Sequence, residues 1–295
     1  MPVPVAIIAY KRPDALRRTL DALAANELAA ETDVFIFVDG AKGEEDRTQV
    51  EMTRQVALQA SGFHRCQCEW TLENQGLATT VIRGVEHVLA ISDAVIVVED
   101  DLITLPSFLR YMNEGLERYR STPSVFSICG YTNRVVPPRN YPADTYFAPR
   151  SSSWGWATWR DRWLSIDWAP TPSSLREHAA AFNKWGGSDC AKMLLDWMEG
   201  RNHSWAIRFC FSQFLQGKVS LFPILSLVDP SPGFGGGGTN IRRYVRFRYT
   251  MDGRADREFR YPPDENPNPV LVRSALRYHS ILLRLWSRLM YFIYG

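Results

Sequence analysis

Val95-Ile96-Val97-Val98-Glu99-Asp100-Asp101 sets an unbroken apolar run directly against three consecutive carboxylates. A short, solidly apolar run rich in β-branched residues reads as a strand buried on both faces, and such strands belong to parallel sheets covered by helices. The flanking sequence repeats the pattern. Val3 to Ala9 and Val34-Phe35-Ile36-Phe37-Val38 are further runs, Arg65 to Thr71 reads as another strand, and Val125 to Cys129 closes the series. Helical spacing fills the gaps. Leu16, Leu20 and Leu23 share one face of a helix starting near Pro13-Asp14, and a polar stretch up to about Ala60 reads as helical. Ile82, Val85 and Leu89 mark another helix, and Phe108, Met112, Leu116 and Tyr119 a further one. Strand and helix in alternation predict a doubly wound, mostly parallel α/β sheet of Rossmann-like type, because right-handed crossovers need a helix between parallel neighbours.

In such sheets ligands bind beyond the carboxyl ends of the strands. The residues following each run are Tyr10-Lys11-Arg12-Pro13, Asp39-Gly40, Glu73-Asn74-Gln75-Gly76, Glu99-Asp100-Asp101 and Gly130-Tyr131, and all are expected to converge on one edge. Three adjacent carboxylates repel one another, and a hard divalent cation shared with a ligand's phosphates keeps them ionised. Taken alone, the triplet reads as a solvated acidic turn before the helix near Pro106-Ser107; its place after a buried run reverses that in favour of the metal and phosphate reading.

From about Tyr131 the texture changes to loops rich in proline and aromatics, including Ser151-Ser152-Ser153-Trp154-Gly155-Trp156. The expected organisation is an α/β half over 1–130, a second half of the same domain over 131–240 that packs on the sheet and frames a pocket, and a basic tail over 241–295. That tail holds eleven arginines against five acids, a net of +6, which leaves 23 basic and 27 acidic groups, a net of −4, for the rest of the 295-residue chain. Its residues Arg273, Arg277, Arg284 and Arg288 fall on one stripe of a continuous helix, bordered by Ser280 and Ser287, opposite Leu282, Leu285, Trp286, Leu289, Phe292 and Ile293. A C-terminal amphipathic helix of this kind suits an anionic membrane surface, or equally a docking face on its own domain or a second subunit.

The ordered motifs resemble the GT-A class of nucleotide-sugar glycosyltransferases, and more narrowly bacterial family-two-like enzymes related to N-acetylglucosaminyltransferase I. The resemblance rests on Ala9-Tyr10-Lys11-Arg12-Pro13, Val38-Asp39-Gly40, Glu73-Asn74-Gln75-Gly76-Leu77, Glu99-Asp100-Asp101 and Trp154-Gly155-Trp156-Ala157-Thr158-Trp159. It implies that the acidic triplet is the DxD element, with Asp101 binding Mn²⁺ or Mg²⁺ on the diphosphate and Glu99 and Asp100 facing sugar and ribose. Ala9, Tyr10, Arg12, Asp39, Asn74 and Gly76 would line the nucleotide-sugar pocket, with Arg12 near the phosphates. Trp154, Gly155 and Trp156 would wall the sugar and acceptor site. Without the resemblance Arg12 reads as a solvated helix-start residue and Asp39-Gly40 as an ordinary turn.

The implied reaction is inverting transfer from a nucleoside diphosphate sugar, UDP favoured, to a glycan or glycolipid hydroxyl, as in polysaccharide biosynthesis. A base must take the acceptor proton. His203 is the candidate, since imidazole suits proton transfer near neutrality, with Asp196 and Glu199 as alternatives. The family pattern has an acid before a Ser-Trp pair, where this chain reads Asn202-His203-Ser204-Trp205, and often Asp and His where it has Gly235 and Asn240. Those departures support an alternative, a non-catalytic carbohydrate-binding or membrane-associated protein on a decayed transferase scaffold.

Other classes lose support. The first strand is followed by neither G-x-G-x-x-G nor G-x-x-x-x-G-K-[ST], which disfavours dinucleotide oxidoreductases and P-loop enzymes. A net charge of +2 without polybasic tracts argues against a nucleic-acid partner. The five cysteines include one close pair, Cys66 and Cys68, so no zinc site is expected, and reduced thiols fit the cytoplasm. The N-terminus lacks a secretory pattern and no segment reaches a membrane-spanning length, so the expected location is cytoplasmic, peripheral on the membrane if it meets one.

Overall fold

Val5, Ile7 and Ala9 of β1 (Val5–Ala9) pack into one core cluster while Ala6 and Ile8 pack into a second, so the period-two alternation of a strand buries both faces. The structure, a computed structural model, describes residues 1–234, 246–254 and 258–294. After β1 come α1 (Pro13–Ala24), β2 (Asp33–Val38), α2 (Glu44–Leu58), β3 (Arg65–Trp70), α3 (Leu77–Ile91) and β4 (Ala94–Glu99). The short β5 (Ile103–Thr104), α4 (Phe108–Arg118), β6 (Val125–Cys129), β7 (Thr145–Ala148) and β8 (Trp156–Trp159) follow. Next are α5 (Arg160–Leu164), α6 (Pro172–Gly186), α7 (Cys190–Met198), α8 (Trp205–Leu215), β9 (Val219–Pro223), β10 (Val228–Asp229), α9 (Pro269–Leu276) and α10 (Ile281–Tyr294).

Eight strands form one sheet in the order β3-β2-β1-β4-β8-β6-β9-β7. The first four are mutually parallel, as the alternation predicts. β8 enters antiparallel between β4 and β6, and β9 runs parallel to β6. Two successive antiparallel steps restore the direction, so β6 points the same way as β4 and delivers Gly130-Tyr131 to the same edge as the other motifs. The result is a mostly parallel α/β sheet of GT-A type, with the expected helices on both faces. β10 pairs with β5 beside this edge, aligning Asp229 with Ile103.

Two expectations are corrected by packing. Trp156 is 1% exposed and stacks with Trp163 and Trp205 at centroid distances of 6.0 and 4.9 Å, so it belongs to the core and does not wall a pocket. As a β8 residue opposite Val97 and Cys129 it has strands on both sides, which fixes its ring among the aromatics of α5 and α8.

The four tail arginines do not share a helix. Asn268 caps α9 through its side chain, a 3-10 turn covers Arg277–His279, and Ser280 is extended at φ −70°, ψ 152° before α10 starts. Buried Tyr278, 3% exposed, anchors the turn, and that anchorage breaks the period that sequence spacing alone would continue. The C-terminal helix itself is present, with Ile281, Leu282, Leu285, Trp286, Leu289 and Phe292 exposed. The side chain of Ile293 lies outside the described residues. Among the described residues no helix is long and apolar enough to cross a membrane.

Candidate active site

The edge formed by the ends of β1 and β4 is held by a hydrogen bond from the Asp100 amide to the Ile8 carbonyl at 3.0 Å. This places Asp100 under the loop after β1, where the Tyr10 amide donates to Asp100 Oδ2 at 3.1 Å. Arg12 then closes over the pair. Its Nη1 donates to Asp101 Oδ2 at 2.6 Å and its Nη2 to Asp100 Oδ1. Asp100 has a side chain only 2% exposed, against 13% for Asp101 and 26% for Arg12, so the cation faces a largely dehydrated carboxylate. Burial pushes the Asp100 carboxyl up to about 6, with Arg12 opposing and Asp101 adding to the shift. Glu99 is half-buried and its carboxylate makes no hydrogen bond or ion pair among the described residues; burial, Asp101 and Asp100 push it up to about 8.

Asp39 lies on the same edge, yet it is 4% exposed and its carboxylate accepts five donors. Oδ1 receives the Gly40 amide, the Thr71 hydroxyl and the Gln75 amide at 2.9, 3.1 and 2.8 Å. Oδ2 receives Asn74 Nδ2 and the Gly76 amide at 2.9 and 2.8 Å. The expected contact from Asp39 to a nucleotide is therefore corrected: its acceptor capacity is spent on the loop over 71–76 and the first turn of α3. Gly40 has no room for a side chain, since a Cβ would lie 2.4 Å from the Glu73 backbone. Ala9 is likewise corrected, being 3% exposed with its methyl in the core and its carbonyl taken by the Asp39 amide. Asn74 and Gly76 remain partly exposed.

Asp46 was not singled out from the sequence, and it organises the other flank. It accepts the Tyr10 hydroxyl at 2.6 Å and Lys11 Nζ at 2.5 Å. Burial and this hydrogen bond push the Tyr10 phenol up to about 12. The signal lay in α2, where Asp46 sits in register with buried Val50, Thr53 and Ala57 on the core-facing stripe.

Trp154 reaches the site through an aromatic set, with Tyr131, Phe247 and Phe234 at 4.6, 5.6 and 5.9 Å between centroids. Phe234 continues from Gly233, where a Cβ would stand 2.3 Å from Asp101 Oδ2, so the carboxylate has a neighbour without a side chain. Gly155 is corrected from wall to junction. It is buried at φ +65°, its carbonyl accepts the Gly130 amide at 2.7 Å, and a Cβ would lie 2.8 Å from Val228. Asp229, at the end of β10, was also missed; it accepts the Tyr249 hydroxyl at 2.5 Å. Leu227-Val228-Asp229 repeats on a small scale the apolar run ending in an acid seen at Val38-Asp39.

The three base candidates are not drawn into this constellation. Asp196 is paired with Lys192 and Arg201 at 2.7 and 2.5 Å, and these partners hold its carboxyl below the ordinary range. Glu199 pairs with Arg201 as well. Asp196 lies on α7 and Glu199 caps its C-terminus, and this helix packs with α6 and α8 in a separate hydrophobic cluster. Asp196, its carboxyl held down by two cations, is a weakened base, so that assignment is corrected, and Glu199 is occupied by its own ion pair. His203 is exposed just before the Ser204 cap of α8 and makes no hydrogen bond among the described residues. Gly235 and Asn240 lie outside the described residues.

A divalent cation fits here only as a shared ligand. Among the described residues no group of three or more His, Cys, Asp or Glu side chains could cage a metal. Asp101, with the space left by Gly233, suits a hard cation that takes one or two carboxylates and completes its shell with phosphate oxygens and water.

The end of β4 thus presents two adjacent carboxylates under an arginine, at the sheet edge where the loop after β1 also ends. The sequence profile described as glycosyltransferase like family 2 matches residues 2–163, over half of the chain, and the chain belongs to that family. Its fold is similar to the mannosyltransferase PcManGT from Pyrobaculum calidifontis, solved with GDP-Man and Mn²⁺, at 15% identity and a TM-score of 0.40 over 54% of this chain and 45% of that one. It is also similar to S. aureus TarS 1-349 in complex with UDP-GlcNAc, at 13% identity and a TM-score of 0.32 over 50% of this chain and 40% of that one. The chain thus spans less than half the length of either structure. No curated protein matches it.

Proposed function

We propose that the protein transfers a sugar, with inversion, from a nucleoside diphosphate sugar to a hydroxyl of a glycan or glycolipid in polysaccharide biosynthesis. The observation that carries this reading is the Arg12 clasp on Asp100 and Asp101 at the end of β4. A leaving diphosphate develops negative charge, and a guanidinium already desolvated at that point is ready to stabilise it. Asp101 would hold a divalent cation, Mn²⁺ or Mg²⁺, which when bound supplies further stabilisation of the diphosphate charge. Tyr10 and the Asn74–Gly76 loop, tied by Asp46 and Asp39, form the nucleotide side, and Trp154 presents an aromatic wall to sugar. UDP is the favoured nucleotide through the motif resemblance, as is kinship to N-acetylglucosaminyltransferase I.

In this reading residues 1–130 serve the donor, 131–240 the acceptor, and 241–295 form a basic tail. The exposed apolar residues of α10 support a cytoplasmic protein lying peripherally on an anionic membrane. A non-catalytic sugar-binding protein on the same scaffold is the second reading, favoured by the ion-paired state of Asp196 and Glu199.

Thermal unfolding with UDP, GDP, CDP and dTDP, each with Mn²⁺ and with chelator, tests the proposal. Ligand at 100 times its Kd stabilises by about 2.7 kcal/mol. One nucleotide is expected to raise Tm only with metal and only with Asp101 intact, Asp101→Ala being the control. No shift with any of them removes the donor site; a shift without sugar transfer to any glycan acceptor favours the second reading.

A further inference from the structure

Arg150, Arg246 and Arg284 come from three separate segments and meet around a single carboxylate, Asp189. Arg150 Nη1 donates to Asp189 Oδ1 at 2.7 Å and to the Gly186 carbonyl at 3.1 Å. Arg284 Nη1 donates to Ser188 Oγ at 3.2 Å, and that hydroxyl donates onward to the His279 carbonyl at 2.7 Å. Arg246 Nε donates to the Tyr278 carbonyl at 3.0 Å. Neither Arg246 nor Arg284 has an ion-pair partner among the described residues.

The remaining titratable group adds no negative charge. His279 Nδ1 is buried, 3.7 Å from Asp189 Oδ2, and has no hydrogen-bond partner. Burial, then Arg150, push its imidazole down to about 4, so it is neutral at pH 7. Burial also pushes the Arg246 guanidinium below its ordinary value; Asp189 opposes that shift, and Arg150 and Arg284 add to it. Three cations therefore share one anion in a half-buried place, an excess of two charges whose desolvation is not offset by the protein itself.

We propose that Arg246 and Arg284, backed by Arg150, form a binding site for the phosphate group of a phosphorylated ligand. Two guanidiniums with unused N–H donors match a phosphate dianion in both charge and hydrogen-bond geometry. The site adjoins the aromatic set: the rings of Phe247 and His279 lie 5.6 Å apart, and Phe247 stands edge-on to Trp154 at 5.6 Å. This location assigns the phosphate to the acceptor, an assignment that rests on the transferase reading; the anion site itself does not. The phosphate belongs either to a soluble phosphorylated glycan or to a lipid headgroup.

The test uses the full chain without nucleotide or metal. Inorganic phosphate and pyrophosphate are titrated calorimetrically, and sedimentation is measured with vesicles of phosphatidylcholine alone and of phosphatidylcholine with phosphatidylglycerol. Arg246→Gln and Arg284→Gln should each weaken the binding about tenfold or more, whereas Arg246→Lys should restore part of it. Binding of free phosphate with this pattern supports the site and a soluble source. Binding only to the anionic vesicles with the same pattern supports it and a lipid source. Binding of neither probe, or binding that both glutamine variants retain, overturns it. A nucleotide and Mn²⁺ shift that persists in those variants shows that they fold and keeps failure here separate from failure of the donor site.

Discussion

Arg12 reaches from the start of α1 to Asp101 at the end of β4, Nη1 standing 2.6 Å from Oδ2, and its other terminal nitrogen holds Asp100. The two residues are 89 positions apart, so this contact ties the loop after the first strand to the loop after the fourth. It also sets a cation against Asp100, whose carboxyl burial drives towards its neutral form.

Replacing Arg12 by Gln should leave Asp100, with its side chain 2% exposed, as a buried acid without its cation. Removing one partner of a fully buried pair costs about 3–5 kcal/mol; with Arg12 itself 26% exposed, a loss of about 1–3 kcal/mol is expected. Adding Asp100→Asn should recover part of it. Chemical denaturation of the two single variants and the double variant checks the coupling, and strictly additive losses would show that the clasp does not stabilise the fold.

Asp39→Asn keeps the shape of the side chain but converts one acceptor oxygen into a donor facing hydrogen-bond donors. A loss of about 1–3 kcal/mol is expected. The loop over 71–76 should loosen while the sheet stays intact. Unchanged far-UV circular dichroism with a weakened nucleotide-dependent thermal shift is the expected pair of results; an unchanged nucleotide shift would show that the loop is not part of the donor site.

The sheet was legible because β1, β2 and β4 are buried on both faces, and only continuous apolar runs satisfy that condition. The converging motifs followed from strand direction alone. Roles within the site were less legible, because type and spacing do not reveal how many partners a side chain already has: Asp39 looked like a ligand contact and is a loop clamp, and Asp46, not singled out in a polar helical stretch, is a clamp as well. Trp156 and the tail stripe failed for a related reason. The insertion of β8 between β4 and β6, and the anchoring of Tyr278, are long-range packing events that leave no local period.

The two tryptophans of the Trp154-Gly155-Trp156 segment should separate cleanly. Trp156→Ala opens a cavity among Trp163, Trp205 and Phe209 and should cost about 3–5 kcal/mol. Trp154 is half-buried, so its alanine variant should cost less and should raise the acceptor KM with kcat changed less. Steady-state kinetics on the folded variant decides it: an unaltered acceptor KM would remove Trp154 from the acceptor wall.

Asp196→Asn and Glu199→Gln should retain turnover, because Asp196 is occupied in ion pairs with Lys192 and Arg201, and Glu199 in one with Arg201. Being largely surface pairs, they should also change stability by less than about 1 kcal/mol. A drop in kcat of about a hundredfold or more in either variant would return that residue to the role of base.

His279 makes the fold sensitive to mild acid. Its side chain is 13% exposed and faces Arg150, Arg246 and Asp189, and burial with Arg150 lowers its imidazole from 6.5 to about 4. A group whose folded value is depressed binds fewer protons in the native state than in the unfolded one. The stability it contributes is therefore complete above pH 6.5, its ordinary value, and is lost progressively as the pH falls towards 4. The shift corresponds to at most about 3.5 kcal/mol, since each unit is worth about 1.4 kcal/mol. His279→Gln carries no titrating group, so its urea-derived stability should fall less between pH 7.5 and pH 4.5 than that of the parent. Parallel losses in the two proteins over that interval would mean that the imidazole is not kept neutral by its surroundings.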